Sequence, residues 1–278
     1  MRLGGNCFGD TSSPEKWLKA LKGYGYSASY CPVGLDATDS EISEYKQAAL
    51  ENDIIIAEVG AWSNPISKDY DICEDAMGKC KKALLLADKI GANCCVNISG
   101  SRGSKWDGPC PEDLTPETFD MVVKCVQEII DDVRPANTFY TLETMPWMYP
   151  DSPDSYFELM KAIDRKAFAV HFDVVNLINC PQRSFKNKDL IKEFTGKLGR
   201  YIKSCHAKDS LLHKTLTVRL DEARPGEGNV DYSALLIELE KLSPDMTLMI
   251  EHLPNEQEFI LAGDYIRKIA KLNNITLK

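Results

Sequence analysis

Four apolar stretches of this chain each end in an acid or an imidazole: Tyr140-Thr141-Leu142-Glu143, Val170-His171-Phe172-Asp173, Ile202-Lys203-Ser204-Cys205-His206 and Leu248-Met249-Ile250-Glu251. The four end residues are 30, 33 and 45 positions apart. A parallel strand and its crossover helix take about 30 residues or more, so each interval has room for at least one such unit. Continuous short apolar runs suit strands buried on both faces, as in a parallel sheet. If the sheet closes into a ring, strand ends that are far apart in sequence converge on one point.

The rest of the chain keeps the same alternation. Runs near 2–6, 26–30, 54–58, 94–98, 138–143, 168–173, 202–206 and 247–251 read as strands. Amphipathic segments fit helices over 14–22, 38–52, 73–90, 116–132, 153–163, 187–198, 231–242 and 255–272. Several carry start signals: Ser13-Pro14 offers a cap and a first-turn proline, and Thr38-Asp39-Ser40-Glu41 has the form of a capping box. Residues Ala76, Cys80, Ala83, Leu84 and Ala87 recur at helical spacing. Eight strand–helix pairs in 278 residues predict an α/β chain, a (β/α)8 barrel folded as one domain over 1–278. An open sheet would leave the four end residues in a line. The polar, glycine-rich segment 99–108 and the longer segment 207–230 then become loops on the face where the strands end. Loops of that length are usually functional or disordered.

Charge narrows the partner. The formal charge is −9 and the pI near 5.1. Binding to a nucleic-acid backbone or an anionic membrane needs a basic patch, so neither is expected. No stretch approaches the 18 or so apolar residues of a membrane span, and the first residues lack the apolar core of a secretory signal. Ten cysteines, with no Cys-x-x-Cys, read as free thiols in a reducing cytoplasm. The expected partner is a small molecule, and the barrel is compatible with a homo-oligomer.

Glu143, Asp173, His206 and Glu251 form a donor set of three carboxylates and one imidazole. Such a set suits one divalent ion, Mn²⁺ first, with Mg²⁺, Co²⁺ or Zn²⁺ as alternatives. Carboxylates held together repel one another and drift toward protonation without a cation. Around this set, Glu58 ends the third strand, in position to touch substrate or to hydrogen-bond a catalytic neighbour. Trp62 and Trp147 follow the third and fifth strands as walls for a substrate or as packing. Lys208 and Asp209 follow His206 closely, the first suited to a substrate oxygen or phosphate and the second to orienting a ligand. His171, two residues before Asp173, shares its face and should lie in an interior layer beneath it. His252 should point away by the same alternation, and His213 has no evident partner. Arg224, in the turn Arg224-Pro225-Gly226-Glu227-Gly228, is a candidate clamp for a hydroxyl or phosphate.

At Leu142-Glu143-Thr144, His171-Phe172-Asp173-Val174-Val175-Asn176, Ser204-Cys205-His206-Ala207-Lys208-Asp209, Arg224-Pro225-Gly226-Glu227-Gly228 and Ile250-Glu251-His252 the chain resembles the xylose isomerase-like barrel superfamily. That grouping holds sugar and sugar-phosphate isomerases and epimerases of the D-tagatose 3-epimerase type, together with endonuclease IV. The resemblance covers essentially the whole chain. It implies a metal-dependent isomerase or epimerase acting on a sugar, with Glu143 and Glu251 both binding the metal and moving the proton. A dehydratase or lyase on a keto-polyol, of the inosose dehydratase kind, is the alternative; a DNA-repair nuclease or a metal-free binding barrel is further off. The chain departs from ketose 3-epimerases at Asn176, where they carry a histidine that meets substrate. It also departs in the 17 residues between His206 and Arg224.

Overall fold

The structure is a computed structural model and describes residues 1–278. Eight parallel strands form the sheet: β1 (Arg2–Gly5), β2 (Ala28–Tyr30), β3 (Ile55–Gly60), β4 (Cys94–Asn97), β5 (Tyr140–Glu143), β6 (Phe168–Phe172), β7 (Ile202–Ala207) and, last in the chain, β10 (Thr247–Ile250). They are ordered β1-β10-β7-β6-β5-β4-β3-β2. The backbone N–H of Ser27, just before β2, donates to the carbonyl of Leu3 at 3.0 Å and brings the two ends of the sheet together. The sheet is therefore a nearly closed barrel. Between the strands run α1 (Pro14–Tyr24), α2 (Asp39–Glu51), α3 (Tyr70–Ile90), α4 (Pro116–Val133), α5 (Pro153–Ile163), α6 (Val174–Leu177), α7 (Pro181–Phe185), α8 (Asn187–Leu198), α9 (Tyr232–Leu242) and α10 (Glu256–Leu272).

The helices start where the side chains can satisfy free backbone N–H groups. Ser13 accepts from the N–H of Lys16, and Thr38 and Glu41 close a reciprocal capping box. Helix α3 begins at Tyr70, three residues before the expected start, because Asp69 accepts from the N–H groups of Asp71 and Ile72. The helices press apolar faces onto the outer side of the barrel in one continuous cluster of 59 buried residues. A core of that kind is the main favourable term in folding such a chain. Ala28 of β2, Ala57 of β3 and Met249 of β10 form a small separate cluster.

Segment 207–230, expected to be a loop, contains an antiparallel hairpin of β8 (Asp209–Leu212) and β9 (Leu220–Ala223). Its alternation is too short and too polar to stand out from a loop. Helices α6 and α7 were likewise not legible as separate elements, being under two turns each. No helix is long and apolar enough to cross a membrane. All ten cysteines are free.

Candidate functional site

Alternation along the strands decides which side chains enter the barrel. On β7 and just beyond it, Ser204, His206 and Lys208 share the inward face, while Cys205 and Ala207 join the outer core. His171 and Asp173 do the same for β6, and Glu143 for β5. Asp173 and Glu251 lie one residue past their strands, where the backbone turns. Asp173 caps α6: its Oδ1 accepts from the N–H of Val175 at 2.8 Å and of Asn176 at 3.2 Å. Thr144 donates its hydroxyl to the Asp173 carbonyl at 2.7 Å and so ties the ends of β5 and β6. With Oδ1 engaged by the backbone, Oδ2 is left facing the barrel axis.

Glu143, Asp173, His206 and Glu251 offer ligand atoms that all lie within 4.8 Å of one another, and all four are buried. His206 Nδ1 is 2.7 Å from Glu143 Oε1 and 2.9 Å from Glu251 Oε1. On the other side of the ring, His206 Nε2 lies 2.9 Å from Glu58 Oε1, while Glu58 Oε2 meets both His171 Nε2 and the Ser204 hydroxyl at 2.9 Å. Glu58 is therefore the group that orients the histidine, one of the two roles expected of it. Its two oxygens are already engaged, which leaves substrate contact to other residues. His171 sits beneath His206, with ring centroids 4.1 Å apart.

Lys208 is buried at the middle of this arrangement. Its Nζ is 2.6 Å from Asp173 Oδ2 and 2.6 Å from Glu251 Oε1. Both contacts are ion pairs, and the same two oxygens have no hydrogen bond of acceptable angle. Two buried carboxylate oxygens with unfilled lone pairs, beside an imidazole nitrogen and a third carboxylate, fit a hard divalent cation. Glu58 behind His206 supplies the outer carboxylate that metal-bound histidines commonly use.

The electrostatics follow from burial. Burial pushes the Asp173 carboxyl up, Lys208 opposes it, and Glu143 and Glu251 add to it, so the group titrates at about 7. Burial also raises Glu143 and Glu251, but the charges of Lys208 and His206 outweigh it and hold both below the ordinary carboxylate range. For His206, burial favours the neutral ring, yet Glu251, Glu58 and Glu143 together carry its value well above that of a free imidazole.

Above the carboxylates opens a cavity of about 690 Å³. Trp62, Trp147, Asn176 and Lys208, all expected near substrate, line it, as do Glu58, Glu143 and Glu251. Trp62 folds back over Gly60, where any side chain would strike the indole.

Arg224 is a correction. Its Nε pairs with Glu258 at 2.8 Å and a terminal nitrogen with Glu227 at 2.6 Å, and it does not face the cavity. The turn after β9 carries it outward to the start of α10, where two carboxylates hold it. Asp209 is a second correction. Its carboxylate accepts from the N–H groups of Ser210, Gly226 and Val230 at 2.8–2.9 Å, so it shapes the 224–230 turn and touches no ligand residue. A side chain at Gly228 would run into that carboxylate.

His252 is a third correction. It lines the cavity and its Nδ1 lies 3.2 Å from Glu222 on β9. The strand ends at Ile250 and His252 has a φ of +57°, so the two-residue alternation no longer applies. His213 pairs with Asp221 at 2.9 Å. Glu222 was not legible as a site residue because its hairpin is not a barrel strand. Trp106 and Asp107 carried only the signal of a long glycine-rich loop.

A model of the xylose isomerase-like TIM barrel family matches residues 18–269. No curated protein matches the sequence. Among solved structures, D-psicose 3-epimerase from Clostridium cellulolyticum H10 with D-tagatose superposes with a TM-score of 0.71 at 13% identity, over 99% of this chain and 100% of that one. The probable 3-DHS dehydratase AsbF of Bacillus anthracis gives 0.70 at 15% identity, over 96% and 98%. A xylose isomerase-like TIM barrel protein from Mycobacterium smegmatis in complex with magnesium gives 0.66 at 17%, over 95% and 90%. At these identities the likeness is one of fold.

Proposed function

The chain belongs to the xylose isomerase-like TIM barrel family, and from that premise we propose that it is a divalent-metal-dependent sugar isomerase or epimerase. The observation that carries this reading is the convergence of Glu143, Asp173, His206 and Glu251, with two of their buried oxygens lacking hydrogen bonds. These four would hold the ion. Bound there, a divalent cation would polarise a substrate carbonyl and acidify the adjacent C–H.

The chain's own residues supply the proton transfers. Glu143 and Glu251 are three strands apart around the ring and both are held ionised, so either can begin as a base. One takes the proton from the acidified carbon; the other, once it has taken up a proton from solvent, returns it to carbon. Return to the opposite face of the same carbon inverts it; return to the neighbouring carbon interconverts ketose and aldose. His206 is kept in place by Glu58, and Asn176 stands in the cavity to contact a substrate hydroxyl. Loss of a β-hydroxyl from the same deprotonated carbon would instead make the protein a dehydratase, a reading that product analysis separates.

The test is exchange. With Mn²⁺ and a panel of keto sugars in deuterated water, the protein should place a deuteron on the carbon next to the carbonyl. Glu143→Gln and Glu251→Gln should each abolish this. Undiminished exchange in either variant refutes the role given to that residue. Absence of exchange with every sugar, in protein shown to bind the metal, sinks the reading.

A further inference from the structure

The cavity has room for more than a single sugar ring. A hexose has twelve non-hydrogen atoms; at roughly 30 Å³ each, water's share of liquid volume, it fills about half of the space in a cavity of about 690 Å³. The remainder is walled by tryptophans. Trp62 follows β3, Trp106 lies in the loop after β4 and Trp147 in the loop after β5, so they stand on three adjacent strands. They are 36%, 38% and 37% exposed, although tryptophan is largely buried on average. Trp62 is the inner member, its ring 6.4 Å from that of His206. Trp147 donates its indole N–H to the Asp107 carbonyl at 3.0 Å, which joins the loop of Trp106 to its own.

The charges of the cavity point the same way. Its only basic groups are Lys208, buried among the central carboxylates at 2.6 Å from both Asp173 and Glu251, and His252, 3.2 Å from Glu222. No arginine faces it, since Arg224 is held outside by Glu227 and Glu258. Asp107 and Glu222 add negative charge beyond the central carboxylates. A phosphate or carboxylate on the outer part of a substrate would meet acids and no free cation, and an unpaired desolvated charge is costly.

We propose that the site takes an uncharged two-ring substrate: a sugar placed at Glu143 and Glu251, joined to a second ring that lies against Trp106 and Trp147. This rests on the sugar reading above. The second ring must present a flat C–H or π face to indole, which either a second sugar or an aryl group does.

Calorimetric titration of the Mn²⁺-loaded full chain tests this without turnover. The ligands are D-glucose, D-fructose, cellobiose, phenyl β-D-glucoside and glucose 6-phosphate. One of the two-ring ligands should bind about tenfold more tightly than glucose, since one aromatic contact is worth about that factor. Cellobiose and the phenyl glucoside distinguish a sugar from an aryl outer ring. Glucose 6-phosphate should bind more weakly than glucose. In Trp147→Ala and Trp106→Ala the ratio between the two-ring ligand and glucose should fall toward one, and Trp147→Phe should keep it. Equal affinity for glucose and both two-ring ligands overturns the proposal. So does a preference for the phosphate, or a ratio unchanged in both alanine variants. If the metal binds and none of the sugars does, the sugar reading itself falls.

Discussion

His206 Nε2 lies 2.9 Å from Glu58 Oε1, and both side chains are buried at the centre of the barrel. An ionised carboxylate can only accept a hydrogen bond, so Nε2 carries the proton and Nδ1 is turned toward Glu143 and Glu251. Burial pushes the Glu58 carboxyl up, but the charges of His206 and His171 outweigh it and hold the group well below its ordinary range. Glu58→Gln should weaken binding of Mn²⁺ about 10- to 100-fold, the usual cost of losing such an outer carboxylate. Calorimetry with the metal alone measures this. Unchanged affinity in a folded variant would show that His206 needs no help from Glu58.

Metal affinity should rise with pH across neutrality. Asp173 titrates at about 7 and His206 well above an ordinary imidazole, so below those values both hold protons that an incoming cation must displace. Raising the pH through about 7 removes the first of these costs. Titration with Mn²⁺ between pH 6 and 8 should show tighter binding at the upper end, with protons released into the buffer. Affinity that is flat or falls over this range contradicts the assignment of Asp173 as a ligand.

Lys208 should be felt in stability as well as in substrate affinity. Its ammonium is the counter-charge to Asp173 and Glu251, all three being buried. Breaking a buried ion pair by removing one partner costs about 3–5 kcal/mol. Lys208→Ala should therefore lower the thermal midpoint of the protein in chelator, and Mn²⁺ should raise it by more than in the unsubstituted chain. A variant as stable as the parent in chelator would show that the pair contributes nothing.

Arg224→Ala should leave sugar affinity within about twofold, because the side chain is engaged with Glu227 and Glu258 outside the cavity. The stability cost should stay near 1 kcal/mol, as for partly exposed ion pairs. A tenfold rise in KM would place Arg224 at the substrate after all.

Much of the frame is legible in the chain itself. Continuous apolar runs such as Ile54-Ile55-Ile56-Ala57 and Leu248-Met249-Ile250 can only be buried on both faces, and capping signals at Ser13 and Thr38 mark helix starts between them. Period-two alternation is a local rule, and it places His171 beneath Asp173 and aligns Ser204, His206 and Lys208 along one face. The four end residues needed only the number of strand–helix units between them for their convergence to follow.

What the chain could not state is whatever depends on the partner a side chain meets across the fold. Lys208 was a substrate contact on its own strand; two carboxylates from neighbouring strand ends make it their counter-charge. Arg224 and Asp209 have the chemistry to serve a site, but Glu258 on α10 and the backbone of the 224–230 turn take them up instead. His252 left the expected face because strand periodicity ends with the strand's hydrogen bonds, and its left-handed backbone redirects the ring to Glu222. Long-range charge pairing and chain direction beyond a strand end are set by packing in three dimensions. Local apolar period and spacing fixed the barrel and the meeting point of its acids; the tertiary structure alone decided which charges are satisfied there and which remain for a ligand.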